Sequence, residues 1–301
     1  MAQKWIRSAR SGIFIPVTEM TPVKKATMTT YGDIAKQAEA IQQLFTKYER
    51  PLSEELTALC KAATILSEKW EAKKTAELPP SILWAALSLN RVANAVLRLD
   101  GHSRAEEIIG KLSDGDISMM DHERTIARDM FWEVEFWHFM LRVGLTAELV
   151  DPPDIIWDKD GQKTAIACKR IYSERHIQNV LSQAVHQIEA AGGFGIAAFQ
   201  LEDARIPKKS TLNNVSQDEA SQILQGINLE FLHEHERHFL KYFTKDRLSA
   251  ALVATSCFAV IENLFVNTQW TVWTHPNLSK EHKQRVLELH TALIKGTSDA
   301  K

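Results

Sequence analysis

The chain has 301 residues, of which 45% are hydrophobic, so it is long enough for one large or two ordinary globular domains with buried cores. Its formal net charge of −2 at pH 7 gives no global electrostatic case for nucleic-acid binding, so any such surface must be local. The three cysteines do not have the spacing of a disulfide framework or a metal site, which predicts buried thiols in a protein of the reducing cytoplasm. The sequence has no apolar run of about 18 residues, which argues against a membrane protein.

Helical periodicity dominates the N-terminal part of the chain. Apolar residues recur every three or four positions from Ile34 to Phe45, which is typical of one buried helix face. The turn-forming segment from Ser113 to Gly115 predicts that a first, helical domain ends near residue 115. A second domain is then predicted to cover residues 116–301. The elements predicted here are a short strand or arm at Gly12 to Val17, a helix from Asp33, and helices at Ser53 to Glu71 with Ser53 as N-cap, Ser81 to Leu99 with Ser81 as N-cap, and Ser103 to Leu112.

Strands and helices mix in the second part, which predicts an α/β fold. The predicted helices are Asp121 to Val143, Ser216 to Tyr242 and Ser279 to Leu293, and the predicted strands are Thr146 to Val150, Asp154 to Lys159, Gln162 to Ile171, Phe194 to Leu201, Leu248 to Ile261 and Trp270 to Trp273.

Asp160-Gly161 is a strong signal for a two-residue β-hairpin, because a type I′ turn needs positive φ at both central residues. Lys159 then pairs with Gln162, and counting outward places Asp154 opposite residue 167, about 5 Å away at Cβ. Lys169 points to the same face, whereas the opposite face carries a plausible apolar core side: Ile155, Trp157, Ile166 and Cys168. A three-residue loop is the competing register and would place Asp154 opposite Ile166.

An acid and a lysine on one face of such a hairpin suit metal-dependent phosphodiester chemistry. Mg²⁺ prefers oxygen ligands, usually one or two carboxylates with waters and phosphate oxygens. A lysine beside the ion can orient the attacking water or neutralise charge on the phosphate. Position 167 holds alanine where a second carboxylate is wanted, so Asp154 alone would hold a metal only weakly.

The segment Pro153-Asp154, followed by a strand that ends Ile166-Ala167-Cys168-Lys169-Arg170, resembles the PD-(D/E)xK, or restriction-endonuclease-like, nuclease superfamily, whose members often have Ile-Glu-Cys-Lys-Arg at this point. The flanking segments agree: Phe131 to Gly144 is similar to the first core helix of that family, and Ser173 to Gln187 is similar to the helix after the lysine strand. The resemblance covers roughly Asp121 to Asn277 and implies a mixed central sheet flanked by helices, preceded here by the N-terminal helical domain.

The resemblance implies roles for individual residues and Mg²⁺ or Mn²⁺ as cofactor. Lys169 would be the catalytic lysine. The metal ligands would be Asp154, Glu133 (with Glu135 as the alternative) and the backbone carbonyl of Cys168. The residues assigned to nucleic-acid binding are Arg170, Arg175 and Gln187. Two explanations stay open for Ala167: an engineered substitution that silences a nuclease, or a family member that has lost activity.

Three other motifs resemble functional sites but do not indicate a specific function. The run His233 to His238 lacks the spacing of a zinc motif and predicts a charged, exposed helix face. The cluster Arg205, Lys208 and Lys209 is interpreted either as a second local basic surface or as a solvated face. Gly192-Gly193 predicts a helix C-cap and turn rather than a phosphate loop.

Three functional hypotheses follow. The first is a divalent-metal-dependent nuclease that acts on DNA rather than RNA and is impaired by Ala167, with defence against foreign DNA as the role that the resemblance implies. The second is a non-catalytic nucleic-acid binder that kept the fold and lost the metal site. The third is an interaction protein whose helical domain forms a homo-oligomer or binds a partner protein.

Overall fold

The computed structural model describes residues 6–7, 13–18, 30–74, 77–117, 119, 123–193, 195–260 and 264–299. The helices are α1 (Tyr31–Lys47), α2 (Glu54–Glu71), α3 (Pro80–Val96), α4 (Ala105–Ser113), α5 (Ile126–Arg142), α6 (Ile177–Ala190), α7 (Glu202–Arg205), α8 (Gln217–Glu234), α9 (Glu236–Phe243) and α10 (Lys280–Asp299). The strands are β1 (Ile6–Arg7), β2 (Ile13–Thr18), β3 (Thr146–Leu149), β4 (Ile155–Lys159), β5 (Gln162–Arg170), β6 (Gly195–Gln200), β7 (Thr211–Asn213), β8 (Ala250–Val260) and β9 (Leu264–Thr274).

Local capping explains where the N-terminal helices begin. Thr30 and Asp33 form a capping box at α1, and the Ser53 hydroxyl accepts from the Leu56 N–H at α2, as predicted for Ser53. The prediction of Ser81 as N-cap of α3 is wrong. The N-cap position is held by Pro79, two residues earlier, and Pro80 is the first helical residue, where the missing N–H of proline leaves no helical hydrogen bond unmade.

A single mixed sheet organises the described strands, in the order β1-β2-β9-β8-β6-β5-β4-β3, with β7 beside β8. Strands β3, β4 and β5 form an antiparallel meander, β5, β6 and β8 run parallel, and β9 is antiparallel to β8. Parallel neighbours need a crossover connection, and α6 supplies the one between β5 and β6. The predicted α/β architecture with a mixed sheet flanked by helices is therefore confirmed.

The β4–β5 hairpin has the predicted register. Lys159 pairs with Gln162 and Ile155 pairs with Ile166. Asp160 and Gly161 have φ of 56° and 80°, as a type I′ turn requires. The competing three-residue loop is excluded.

Two apolar layers cover the sheet. On one face, strand residues such as Ile166 and Ile196 share a hydrophobic cluster with α1 to α5 and α10; on the other, Ala167 and Phe199 pack with α6, α8 and α9. The core thus continues from α1 across residue 115 into the sheet, and β2 also pairs with β9. The division into domains near residue 115 stays a prediction.

The predicted helix from Ser216 to Tyr242 is interrupted at His235, which ends α8 and precedes α9. Its ring is hydrogen-bonded to Glu174, 61 residues away in the chain, a tertiary contact that local periodicity does not encode. Of the helices that the structure describes, none has both the length and the apolar character needed to cross a membrane.

Candidate metal-dependent active site

Asp154 is the centre of the candidate site. It lies just beyond the last ladder pair of the hairpin, Ile155 with Ile166, and only 5% of its surface is exposed. Its Oδ2 accepts the backbone N–H of Cys168 at 2.5 Å and the ammonium of Lys169 at 3.2 Å. The hydrogen bonds from Cys168 and Lys169 orient this carboxylate toward β5, as the predicted register requires.

Gln187 contacts the other oxygen of the same carboxylate. It lies on α6, and its Nε2 is 3.4 Å from Asp154 Oδ1. The Oε1 atom of Gln187 is buried and has no hydrogen-bond partner among the described residues. The structure therefore brings together Asp154, Lys169 and Gln187, three residues singled out from the sequence.

Glu133, on α5, is the second acid of the site. Burial and, second to it, the negative charge of Asp154 raise its pKa to about 8, against opposing effects of Lys169 and Lys111. Glu135, the alternative acid, instead forms ion pairs with Arg91. Glu133 is thus the α5 acid whose pKa the charge of Asp154 raises.

Position 167 supplies no ligand. Ala167 is fully buried and packs in the apolar cluster under α6, which includes Leu181 and Ala184. Residues of one strand alternate between its two faces, so residue 167 shares the face of Lys169. Residue 167 therefore offers no side-chain oxygen on the side of the strand where Lys169 contacts Asp154.

The backbone of Cys168 has the orientation that a carbonyl ligand requires. Within a strand, the N–H and C=O of one residue point to the same side, and the Cys168 N–H donates to Asp154. Its carbonyl therefore faces the same edge. The thiol is buried in the opposite face, and burial raises its pKa well above the usual range, which makes it a core group and not a thiolate ligand.

The assignment of Arg170 to nucleic-acid binding is wrong. Strand alternation places it on the face opposite Lys169, where its buried guanidinium donates two hydrogen bonds to Asp203, at 2.9 and 2.6 Å. Arg175 is exposed, and its role in nucleic-acid binding stays a prediction.

Arg170 belongs to a buried ionic network that the sequence did not reveal. Asp203 also binds Arg128 of α5, and the neighbouring Glu202 binds Arg91 of α3. The side chains of Arg128 and Asp203 are 2% and 1% exposed. The network joins α3 and α5 to α7, which follows β6, and to the end of β5, the strand that carries Lys169.

A second acidic cluster lies outside this site. Glu174, Glu234 and His235 are close enough to share a cation, but Arg205 forms ion pairs with both glutamates. The guanidinium already offsets part of the negative charge of the cluster. Two interpretations from the sequence are therefore corrected. The run from His233 to His238 is not simply an exposed charged face, because His235 is partly buried and hydrogen-bonded to Glu174. Arg205 is not a free basic residue, because it is paired with Glu174 and Glu234.

Ser249, His282 and Asp246 also meet, but they do not form a nucleophilic triad. The Ser249 hydroxyl is 3.0 Å and an Asp246 oxygen 3.5 Å from the same ring nitrogen, Nδ1 of His282. A catalytic relay places the serine and the acid on opposite nitrogens. Ser249 is also fully buried, so no substrate can reach it.

The raised pKa of Glu133 predicts a pH-dependent stability. The unfolded carboxyl has a pKa near 4.5 and the folded one near 8, so the folded state keeps a proton that the unfolded state releases, and stability falls as pH rises through this window. We expect Glu133→Gln to match the wild type near pH 4.5 and to exceed it in unfolding free energy by about 3–5 kcal/mol above pH 8, by urea denaturation. A stability difference that does not change with pH would contradict the assignment.

Comparison of the chain with protein-family models gives no match, and neither do comparisons with curated proteins and with solved structures. The function is therefore inferred from the site itself.

Proposed function

We propose that the chain has the site of a divalent-metal-dependent nuclease that acts on DNA, and that Ala167 weakens it. The observation that carries the proposal is the set of partners around the buried Asp154 carboxylate. One oxygen accepts hydrogen bonds from the Cys168 N–H and the Lys169 ammonium, and the other faces Gln187. The charge of Asp154 also acts on Glu133.

The donor set fits Mg²⁺ or Mn²⁺. Asp154, Glu133 and the Cys168 carbonyl offer only oxygen atoms, which both ions prefer. A bound cation would supply Lewis-acid activation of water and phosphate. It would also favour the ionised form of Glu133, because ligands must be deprotonated to bind a metal.

Lys169 is the residue placed to act on the substrate. Its partly buried ammonium lies 3.2 Å from the proposed metal ligand Asp154. From there it can neutralise charge that develops on a phosphate or hold the attacking water. The exposed Arg175, at the start of the segment that leads to α6, is the local basic residue proposed to contact the phosphate backbone.

The buried Ala167 favours one alternative, a nucleic-acid-binding protein that kept this fold without catalysis. With no oxygen at position 167, the side chain of Lys169 is paired to Asp154 within the protein itself. This alternative predicts DNA binding that weakens with salt and is indifferent to Mg²⁺.

Metal binding tests the proposal without requiring activity. We expect the wild type to bind Mn²⁺ in isothermal titration calorimetry and Asp154→Asn to weaken the affinity at least about tenfold, because a ligand charge is lost. Asp158→Asn is the matched control in the same hairpin, since Asp158 only accepts the Gly161 N–H at the turn.

Two outcomes would contradict the proposal. One is a wild type that binds no Mn²⁺. The other is binding that survives in Asp154→Asn and disappears in Glu174→Gln, which would move the metal to the second acidic cluster.

A further inference from the structure

The buried oxygen of Gln187 has no partner in the described part of the molecule. Nearly all buried polar atoms in folded proteins are hydrogen-bonded, and leaving one unpaired is destabilising. An unpaired oxygen next to a buried carboxylate is therefore a sign of an interaction that the protein alone does not make.

The position of Gln187 matches that of a cation ligand. Its amide nitrogen is 3.4 Å from Oδ1 of Asp154, the carboxylate oxygen that neither Cys168 nor Lys169 contacts. A half-turn of the terminal amide exchanges the nitrogen and the oxygen at almost the same positions. Two neighbouring oxygen ligands of an octahedral Mg²⁺ lie about 3 Å apart, given metal–oxygen distances near 2.1 Å.

The packing of α6 explains why a helix residue can take this place. Ala167 is small and fully buried, and it shares an apolar cluster with Leu181, Ala184 and Val185 of α6. The close approach of the helix allows the longer side chain of Gln187 to reach Asp154.

We infer that Gln187 is an oxygen ligand of the cation and takes the place of the carboxylate that position 167 lacks. The inference rests on the proposed metal site and changes the predicted role of Gln187 from nucleic-acid contact to metal ligand. A neutral amide oxygen in place of a carboxylate leaves the site with less negative charge and therefore with weaker affinity for a divalent ion.

Mn²⁺ titration of three variants tests this role. We expect Gln187→Leu to weaken Mn²⁺ binding at least about tenfold and Gln187→Glu to tighten it about tenfold, because glutamate adds a charge at the same oxygen position. Gln183→Leu is the matched control: Gln183 is exposed on α6, one turn before Gln187, and should leave the affinity unchanged.

The two substitutions together separate a ligand from a structural residue. A side chain that only supports the position of Asp154 would weaken binding when changed to leucine, but changing it to glutamate would not tighten binding. Equal Mn²⁺ affinity of the wild type and Gln187→Leu, or no gain in affinity in Gln187→Glu, overturns the inference about Gln187. If Asp154→Asn still loses Mn²⁺ binding in that case, the proposed function stands. Absence of Mn²⁺ binding in the wild type overturns both.

Discussion

Replacing Ala167 by glutamate will raise Mn²⁺-dependent DNA cleavage by at least about 100-fold over the chain as it stands. The hairpin register places residue 167 opposite Asp154 and on the face of Lys169, so the new carboxylate enters the proposed metal site. Since Ala167 is fully buried, the larger side chain will also cost about 1–3 kcal/mol of stability. Cleavage of single- and double-stranded DNA in Mg²⁺ and Mn²⁺ measures the gain.

Two controls isolate the chemistry of the glutamate. Ala167→Gln has nearly the same shape without the charge and should gain far less activity. Adding Lys169→Met to Ala167→Glu should abolish the gain, because the ammonium beside Asp154 is removed. A folded Ala167→Glu protein that cleaves neither DNA nor RNA with either ion would argue for the non-catalytic alternative.

Replacing Asp203 by alanine will cost about 3–5 kcal/mol of unfolding free energy, because it leaves two buried arginines without their shared carboxylate. Arg128 and Arg170 each bond to Asp203 at 2.6 Å, and all three side chains are at most 3% exposed. Urea denaturation followed by circular dichroism measures the loss.

Asp100→Ala is the matched control for this substitution. Asp100 pairs with Lys47 on the surface, where both side chains are 56% exposed. Exposed ion pairs contribute about 0–1 kcal/mol, so this variant should be nearly neutral. A loss of less than 1 kcal/mol in Asp203→Ala would mean that the buried network does not hold the end of β5, which carries Lys169.

Local signals in the sequence were enough to predict the hairpin and the neighbours of Asp154. Asp160-Gly161 fixes a turn of two residues, and strand alternation then determines that Asp154 and Lys169 share a face. The cap at Ser53 was also predicted from a short-range pattern. The last strand was not: β9 begins at Leu264, six residues before the predicted start at Trp270.

Contacts between distant segments could not be predicted in this way. Arg170 looks like a free basic residue after Lys169, yet it is buried because Asp203, 33 residues later, lies at the end of β6. Arg91 and Glu202 are separated by 111 residues, and no spacing rule joins them. The close packing of α6 on Ala167, which lets Gln187 reach Asp154, likewise depends on the tertiary arrangement.

The most direct test of the proposed metal site is anomalous scattering from Mn²⁺ in crystals of the wild-type protein. The proposed site predicts one strong peak within ligand distance, about 2.2 Å, of Asp154 Oδ1 and between the side chains of Glu133 and Gln187. A peak at Glu174, Glu234 and His235 instead, or no peak near Asp154 at saturating Mn²⁺, would contradict it.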